Sequence, residues 1–228
     1  DGDLFWNPMI PSLSNQDRTE IYQNKNKTLA LLHDVDYKKI GLEDYGKPGN
    51  YVARQVARWS KQYRASETDD IEAMNNLIDW LPKNIPDDDE TSIVHGDYRL
   101  DNMILKNNQV MGILDWELST LGHPIADFSY HCLSWRTQEA FWDQAKLKEL
   151  GVPSEKEYMD MYCENTGKDL SKNWEFYMAF NMFKIAGILQ GILGRVRDGT
   201  ASSKHAEDRG MMVYPLSEAA WNTIKENF

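Results

Sequence analysis

Residues 95–102 read His95-Gly96-Asp97-Tyr98-Arg99-Leu100-Asp101-Asn102, and thirteen residues after Asn102 comes Asp115, inside Gly112-Ile113-Leu114-Asp115-Trp116-Glu117. Ser92-Ile93-Val94 just before is a short β-like run. Met103 to Leu105 and Val110 to Leu114 are two more, separated by the turn signal Lys106-Asn107-Asn108-Gln109. A hairpin is therefore predicted whose strands start after Asn102 and end at Asp115, so both residues lie at its open end. An amide oxygen and a carboxylate there suit Mg²⁺, a hard cation that takes oxygen ligands. Asp97 can orient an acceptor hydroxyl and take its proton, and Arg99 can face a transferring phosphate. His-x-Asp-x-x-x-x-Asn, hairpin, Asp is the order that loops of phosphoryl-transfer enzymes use. His95 reads as a residue that holds the loop, and Glu117 as structural or supporting. Asp101 stays open between a loop acceptor and a site residue.

Outward from this stretch the pattern is helical. Ser14, with Leu13 before it and Asp17 after it, predicts the N-cap of a helix over about 15–33, following an extended entry over 1–13. Apolar residues at helical spacing predict helices over about 50–65 and 68–82, the second stopped by Pro82 and Pro86. Gly41, Gly46, Pro48 and Gly49 mark a loop, and Asp87-Asp88-Asp89-Glu90 reads as a solvated one. After Pro124 further helices are predicted over about 125–135, 154–166, 172–197 and 205–226. The fold class is α+β and mostly α-helical, with a small β inset that concentrates the polar residues.

Composition bounds the function. With 228 residues, 41% hydrophobic and 27% charged, the chain is globular and long enough for a sizeable core. The net charge of −11 argues against a nucleic-acid or anionic-membrane partner. The longest apolar stretch, Trp174 to Gly194, is interrupted by Glu175, Asn181, Lys184 and Gln190 and reads as a buried helix. Cys132 and Cys163 make no disulfide framework, so a reducing compartment, the cytoplasm, is expected. The chain opens on Asp1-Gly2-Asp3, without a signal peptide, and reads as processed or truncated.

His95 to Asn102, Ile113 to Glu117 and the following Leu118-Ser119-Thr120-Leu121-Gly122-His123-Pro124-Ile125-Ala126-Asp127 resemble the aminoglycoside phosphotransferase family. More narrowly, they are similar to the kinase-like domains attached to some acyl-CoA dehydrogenases. The resemblance implies a protein-kinase-like fold and transfer of the γ-phosphoryl of ATP, with Mg²⁺, to a small-molecule hydroxyl. It implies Asp97 as catalytic base and Asn102 and Asp115 as metal ligands. It also implies Asp127 as an acid bonding the backbone of the catalytic loop, where the residue alone reads equally as a helix cap. Residues 1–228 resemble the C-terminal lobe alone. No Gly-x-Gly-x-x-Gly and no strand lysine precede residue 95, so the nucleotide-binding N-terminal lobe is expected to be absent and the isolated chain inactive.

For the acceptor, helices after the metal loop offer Trp135, Trp174, Tyr177, Phe180, Asn181 and Lys184, against a reading of the aromatics as core. Lys184, Arg195, Arg197, Lys204 and Arg209 concentrate positive charge. They suit the phosphates of a hydroxyacyl-CoA, as the acyl-CoA-dehydrogenase relatives imply, or a solvated helix end. Two other functions compete. One is a metal-dependent hydrolase with His95, Asp97, Asp115 and His123 as ligands. The other is a non-catalytic helical binding lobe.

Overall fold

The computed structural model describes residues 2–7, 9–137 and 144–228. In chain order these form α1 (Asn15–His33), α2 (Tyr51–Ala65), α3 (Glu72–Trp80), β1 (Ser92–Val94), β2 (Met103–Lys106) and β3 (Gln109–Ile113). There follow β4 (Thr120–Gly122), α4 (Pro124–Cys132), α5 (Ser134–Thr137), α6 (Gln144–Glu149), α7 (Glu155–Thr166), α8 (Trp174–Arg197), α9 (Ala206–Met211) and α10 (Val213–Asn227). The chain divides into two compact units, Asp1–Gly49 with Glu90–Lys172, and Asn50–Asp89 with Asn173–Phe228.

The first unit carries both small sheets. Helix α1 starts at a full capping box, in which the Ser14 side chain accepts from the Asp17 amide and Asp17 reaches back to Ser14. Ser154 and Glu157 repeat the device at α7. The buried faces of α1, α4 and α7 meet as rings: Tyr22 stands edge-on to Tyr158 at 6.0 Å, and Phe128 stacks on Tyr162 at 3.9 Å. Each fully buried ring of this kind contributes about 1.5–3 kcal/mol by removing its surface from water. Strands β2 and β3 pair antiparallel, with Met103 opposite Ile113, across the turn Asn107-Asn108. Both asparagines have positive φ, +50° and +60°, as the two central residues of a type I′ hairpin require. The entry segment ties in beside β2, where Asp3 and Leu105 exchange N–H···O bonds of 2.7 and 2.9 Å.

Strand β1 pairs antiparallel with β4, Ser92 opposite Gly122 and Val94 opposite Thr120. Sequence reading gave β4 no place, because Thr120-Leu121-Gly122 is short and its partner lies about 28 residues upstream. The loop over 41–49 runs close against it. A Cβ on Gly46 would sit 2.6 Å from the Leu121 amide nitrogen, so only glycine permits the approach.

The second unit is built on α8. Gly187 gives room to Trp59 of α2, and Gly194 to Ser66, where an added Cβ would meet backbone at 3.2 Å. Helix α8 is long and apolar enough by length and composition to cross a membrane, but 67% of its most apolar window is buried within the protein, as in a core helix. Helix α3 starts at Glu72, four residues later than the spacing predicts. Thr68 and Asp69 are drawn out of helical conformation by other bonds: Gln190 donates to Ser66 O (2.6 Å) and Thr68 Oγ1 (3.0 Å), and Asp69 accepts from Arg197 (2.7 Å) and Tyr214 (2.6 Å). The acidic run is more than a solvated loop. Asp88 accepts from the Tyr177 hydroxyl at 2.7 Å, and both oxygens of Asp89 accept from the Asn50 amide at 2.8 and 3.0 Å, at the start of α2.

Candidate active site

The loop leaving β1 turns at Gly96, whose φ is +83°. Immediately before the turn, His95 is fully buried. Its Nδ1 accepts from the Asp97 amide at 3.3 Å, so its Nε2 carries the proton and donates to Leu114 O at 2.9 Å. The ring thus ties the loop to the end of β3, and its edge meets Trp116 at 5.0 Å. Beneath the loop lies Asp127 in the first turn of α4. It accepts the His95 amide on Oδ2 and the Gly96 amide on Oδ1, both at 2.8 Å, and His33 Nε2 lies 3.2 Å from Oδ2. Burial opposes its charge, yet the His33 contact and the two amides outweigh it and hold the carboxyl below the usual range. The N-cap of α4 is His123, so Asp127 does not cap its helix.

Asp97 projects from this fixed loop with its side chain 22% exposed. Asn102 Nδ2 donates to its Oδ2 at 3.1 Å and to its backbone oxygen at 2.9 Å; the Tyr130 hydroxyl lies 3.4 Å from Oδ1. With both acceptors on its amide nitrogen, Asn102 turns its oxygen the other way. The Leu114 amide donates to Asn102 O at 2.8 Å, which extends the hairpin ladder to its open end and leaves Asp115 the next residue along. Asp115 is exposed and has φ +62°, a left-handed conformation that is costly for a residue with a Cβ and recurs at functional positions. Arg99 reaches to 3.9 Å from Asp97 Oδ1, while its Nε and Nη2 are gripped by Asp101. Burial works against the charge of Asp101, but the guanidinium prevails and keeps the carboxyl low.

The donor set suits Mg²⁺. An amide oxygen from Asn102 and a carboxylate from Asp115 are hard ligands, and this ion keeps waters and substrate phosphates for its remaining positions. Among the described residues no three His, Cys, Asp or Glu side chains group to hold a metal. His95 spends both ring nitrogens on the backbone, which removes it from the ligand set proposed for a hydrolase.

Of the residues named for the acceptor, Trp135 lies in the first unit and the others in the second. Trp135 is buried, donates to Pro153 O at 2.9 Å and stacks on Tyr158 at 4.9 Å, all within the core of the first unit. Trp174, Tyr177, Phe180 and Asn181 are buried positions of α8 in the second unit, and Lys184 on the same helix is half-buried. Of the basic residues, Arg197 is paired with Asp69. His33 and Tyr130 were not singled out from sequence. No local pattern marks them, since each meets its partner across more than 30 residues of chain.

A loop pinned by a buried aspartate and followed by a short hairpin, within a mostly helical chain, belongs with the protein-kinase-like phosphotransferase fold. The phosphotransferase enzyme family model, APH, matches residues 1–162, and the chain belongs to that family. Acyl-CoA dehydrogenase family member 10 of Mus musculus is 43% identical over 100% of this chain and 22% of its own length. Acyl-CoA dehydrogenase family member 11 of Homo sapiens is 39% identical over 100% of this chain and 30% of its own. The chain thus spans less than a third of these curated relatives. Among solved structures, a candidate aminoglycoside phosphotransferase from Ralstonia eutropha JMP134 superposes with TM-score 0.95 at 49% identity, covering 100% of this chain and 71% of that one. Choline kinase from Cryptosporidium parvum Iowa II shares the fold at TM-score 0.66 and 12% identity, over 99% and 69% of the two chains.

Proposed function

We propose that the chain is the catalytic lobe of a cytoplasmic enzyme that transfers the γ-phosphoryl group of ATP, with Mg²⁺, to a hydroxyl of a small molecule. The observation that carries this is the Asp97 carboxylate, partly exposed and held by Asn102 beside Arg99. In this reading Asp97 accepts the proton of the acceptor hydroxyl as its oxygen bonds to phosphorus. The bond from phosphorus to the β–γ bridging oxygen breaks and ADP leaves. Arg99, oriented by Asp101, faces the charge that spreads over the transferring oxygens. Asn102 and Asp115 would hold the Mg²⁺, which supplies charge neutralisation on the phosphates. The names of the matched relatives support a hydroxyacyl-CoA acceptor, because an acyl-CoA-handling region in the same polypeptide gives a CoA-borne hydroxyl a reason to be present.

The test uses the chain within a longer form that includes a nucleotide-binding lobe, with MgATP and a panel of choline, an aminoglycoside and a hydroxyacyl-CoA. Phosphorus NMR is expected to show a phosphate ester on the CoA-borne hydroxyl. Asp97→Asn is expected to lower turnover by about 10²–10⁴-fold with nucleotide affinity retained. Residues 1–228 alone are expected to give no turnover, since phosphoryl transfer rests on positioning and charge stabilisation and a single lobe leaves the triphosphate uncovered. Near-normal turnover in the Asp97→Asn variant refutes the role given to the carboxylate.

A further inference from the structure

We propose that Tyr130 is a positioning residue for Asp97, completing a clamp by which one face of α4 fixes four consecutive residues of the catalytic loop. The inference rests on the phosphotransfer reading of Asp97. Asp127, Tyr130 and His131 stand at i, i+3 and i+4 on α4 and therefore share a face. Asp127 takes the amides of His95 and Gly96. His131 Nδ1 lies 2.7 Å from Tyr98 O, a pure acceptor, so Nδ1 carries the proton and Nε2 is left to accept from the Tyr158 hydroxyl at 3.0 Å. Burial, with the Lys25 charge second, pushes His131 down to about 3 and keeps this neutral tautomer. Residues 95, 96 and 98 are thus gripped through their backbones. Residue 97 is reached through its side chain, by the Tyr130 hydroxyl.

The geometry gives that contact a purpose. Asn102 Nδ2 restrains one carboxylate oxygen at 3.1 Å and Tyr130 the other at 3.4 Å, from separate elements, so the two contacts together limit rotation of the carboxylate. A carboxylate only accepts, so the phenol donates. At 3.4 Å the bond is long for O–H···O, and it orients the oxygen without consuming its capacity to take a proton. Burial first, then the Asp97 charge, pushes Tyr130 up to about 12, so the phenol keeps its proton at working pH. Arg99 pulls the other way and Asp127 adds a smaller push.

The experiment has two arms. In the first, the chain is labelled at tyrosine ¹³Cζ, Tyr130 is assigned by loss of its signal in Tyr130→Phe, and its ionisation is followed in wild type and in Asp97→Asn. Removing the negative charge is expected to lower the Tyr130 midpoint by about one pH unit; a midpoint that does not move overturns the contact. In the second, the longer protein is assayed with MgATP and a hydroxyacyl-CoA. Tyr130→Phe is expected to lower kcat about tenfold with the KM for ATP unchanged. An unaltered kcat overturns the positioning role, because a tyrosine that only fills space is replaced by phenylalanine without cost to the chemical step. If wild type phosphorylates no acceptor in the panel, the phosphotransfer reading fails, and the positioning role, which rests on it, falls with it. The titration stands apart from that failure, since it reads whether Tyr130 senses Asp97 with no turnover required.

Discussion

An alanine at position 96 would place its Cβ 2.8 Å from Leu118 O and 3.1 Å from Leu118 Cβ, at a φ of +83° that L side chains rarely adopt. The neighbouring atom is backbone and cannot swing aside. Gly96→Ala is therefore expected to cost about 1–3 kcal/mol, read from the urea midpoint, and to reduce turnover of the longer protein by more than that instability explains. A variant with wild-type stability and wild-type turnover would show that the loop has another way through this turn. Asp97, Asn102 and Asp115 were legible at this scale as candidates, because a local spacing carries them. Their supports were not. His33 and Tyr130 look in sequence like ordinary residues of amphipathic helices, and only the packing of α1 and α4 against the loop gives them partners. Trp135 and Tyr177, aromatic and therefore plausible as pocket walls, are both buried.

Among the elements, α4 is the one on which the site depends, and it carries two buried titratable groups that act in the same direction with pH. His131 is pushed from 6.5 down to about 3, so below about pH 6.5 the unfolded chain binds a proton that the folded chain refuses, and stability falls until about pH 3. Asp127 is held below its ordinary 3.8, so its contribution is present above that value and is lost as pH falls through its folded value. Denaturation midpoints are expected to decline from pH 7 to pH 4, with one proton worth roughly 1.4 kcal/mol per pH unit at the steepest. His131→Asn, which keeps a donor but does not titrate, should flatten the slope between pH 6 and 4; an unchanged slope would assign the acid sensitivity to other groups. Capped, strongly periodic helices such as α1 and α8 were legible in the sequence. Strand β4 and the late start of α3 were not, because a distant strand sets the first and the bonds from α8 and α10 to residues 66–69 set the second.

At the scale of the whole molecule, the chain spans less than a third of the length of its curated relatives. The carboxylate of Asp127 has a consequence for time as well as for geometry. The amides of His95 and Gly96 belong to a connecting segment, and such amides ordinarily trade hydrogen for deuterium within seconds to minutes. Here both point into a fully enclosed acceptor that cannot release them while α4 stays in place. In a deuterium-labelling experiment they are expected to rank with the slowest amides of α1 and α7, reporting the opening of the entire first unit. Rapid labelling of either would mean that the segment breathes independently of its helix. Slow labelling would mean that the catalytic loop, irregular in outline, shares the lifetime of the core.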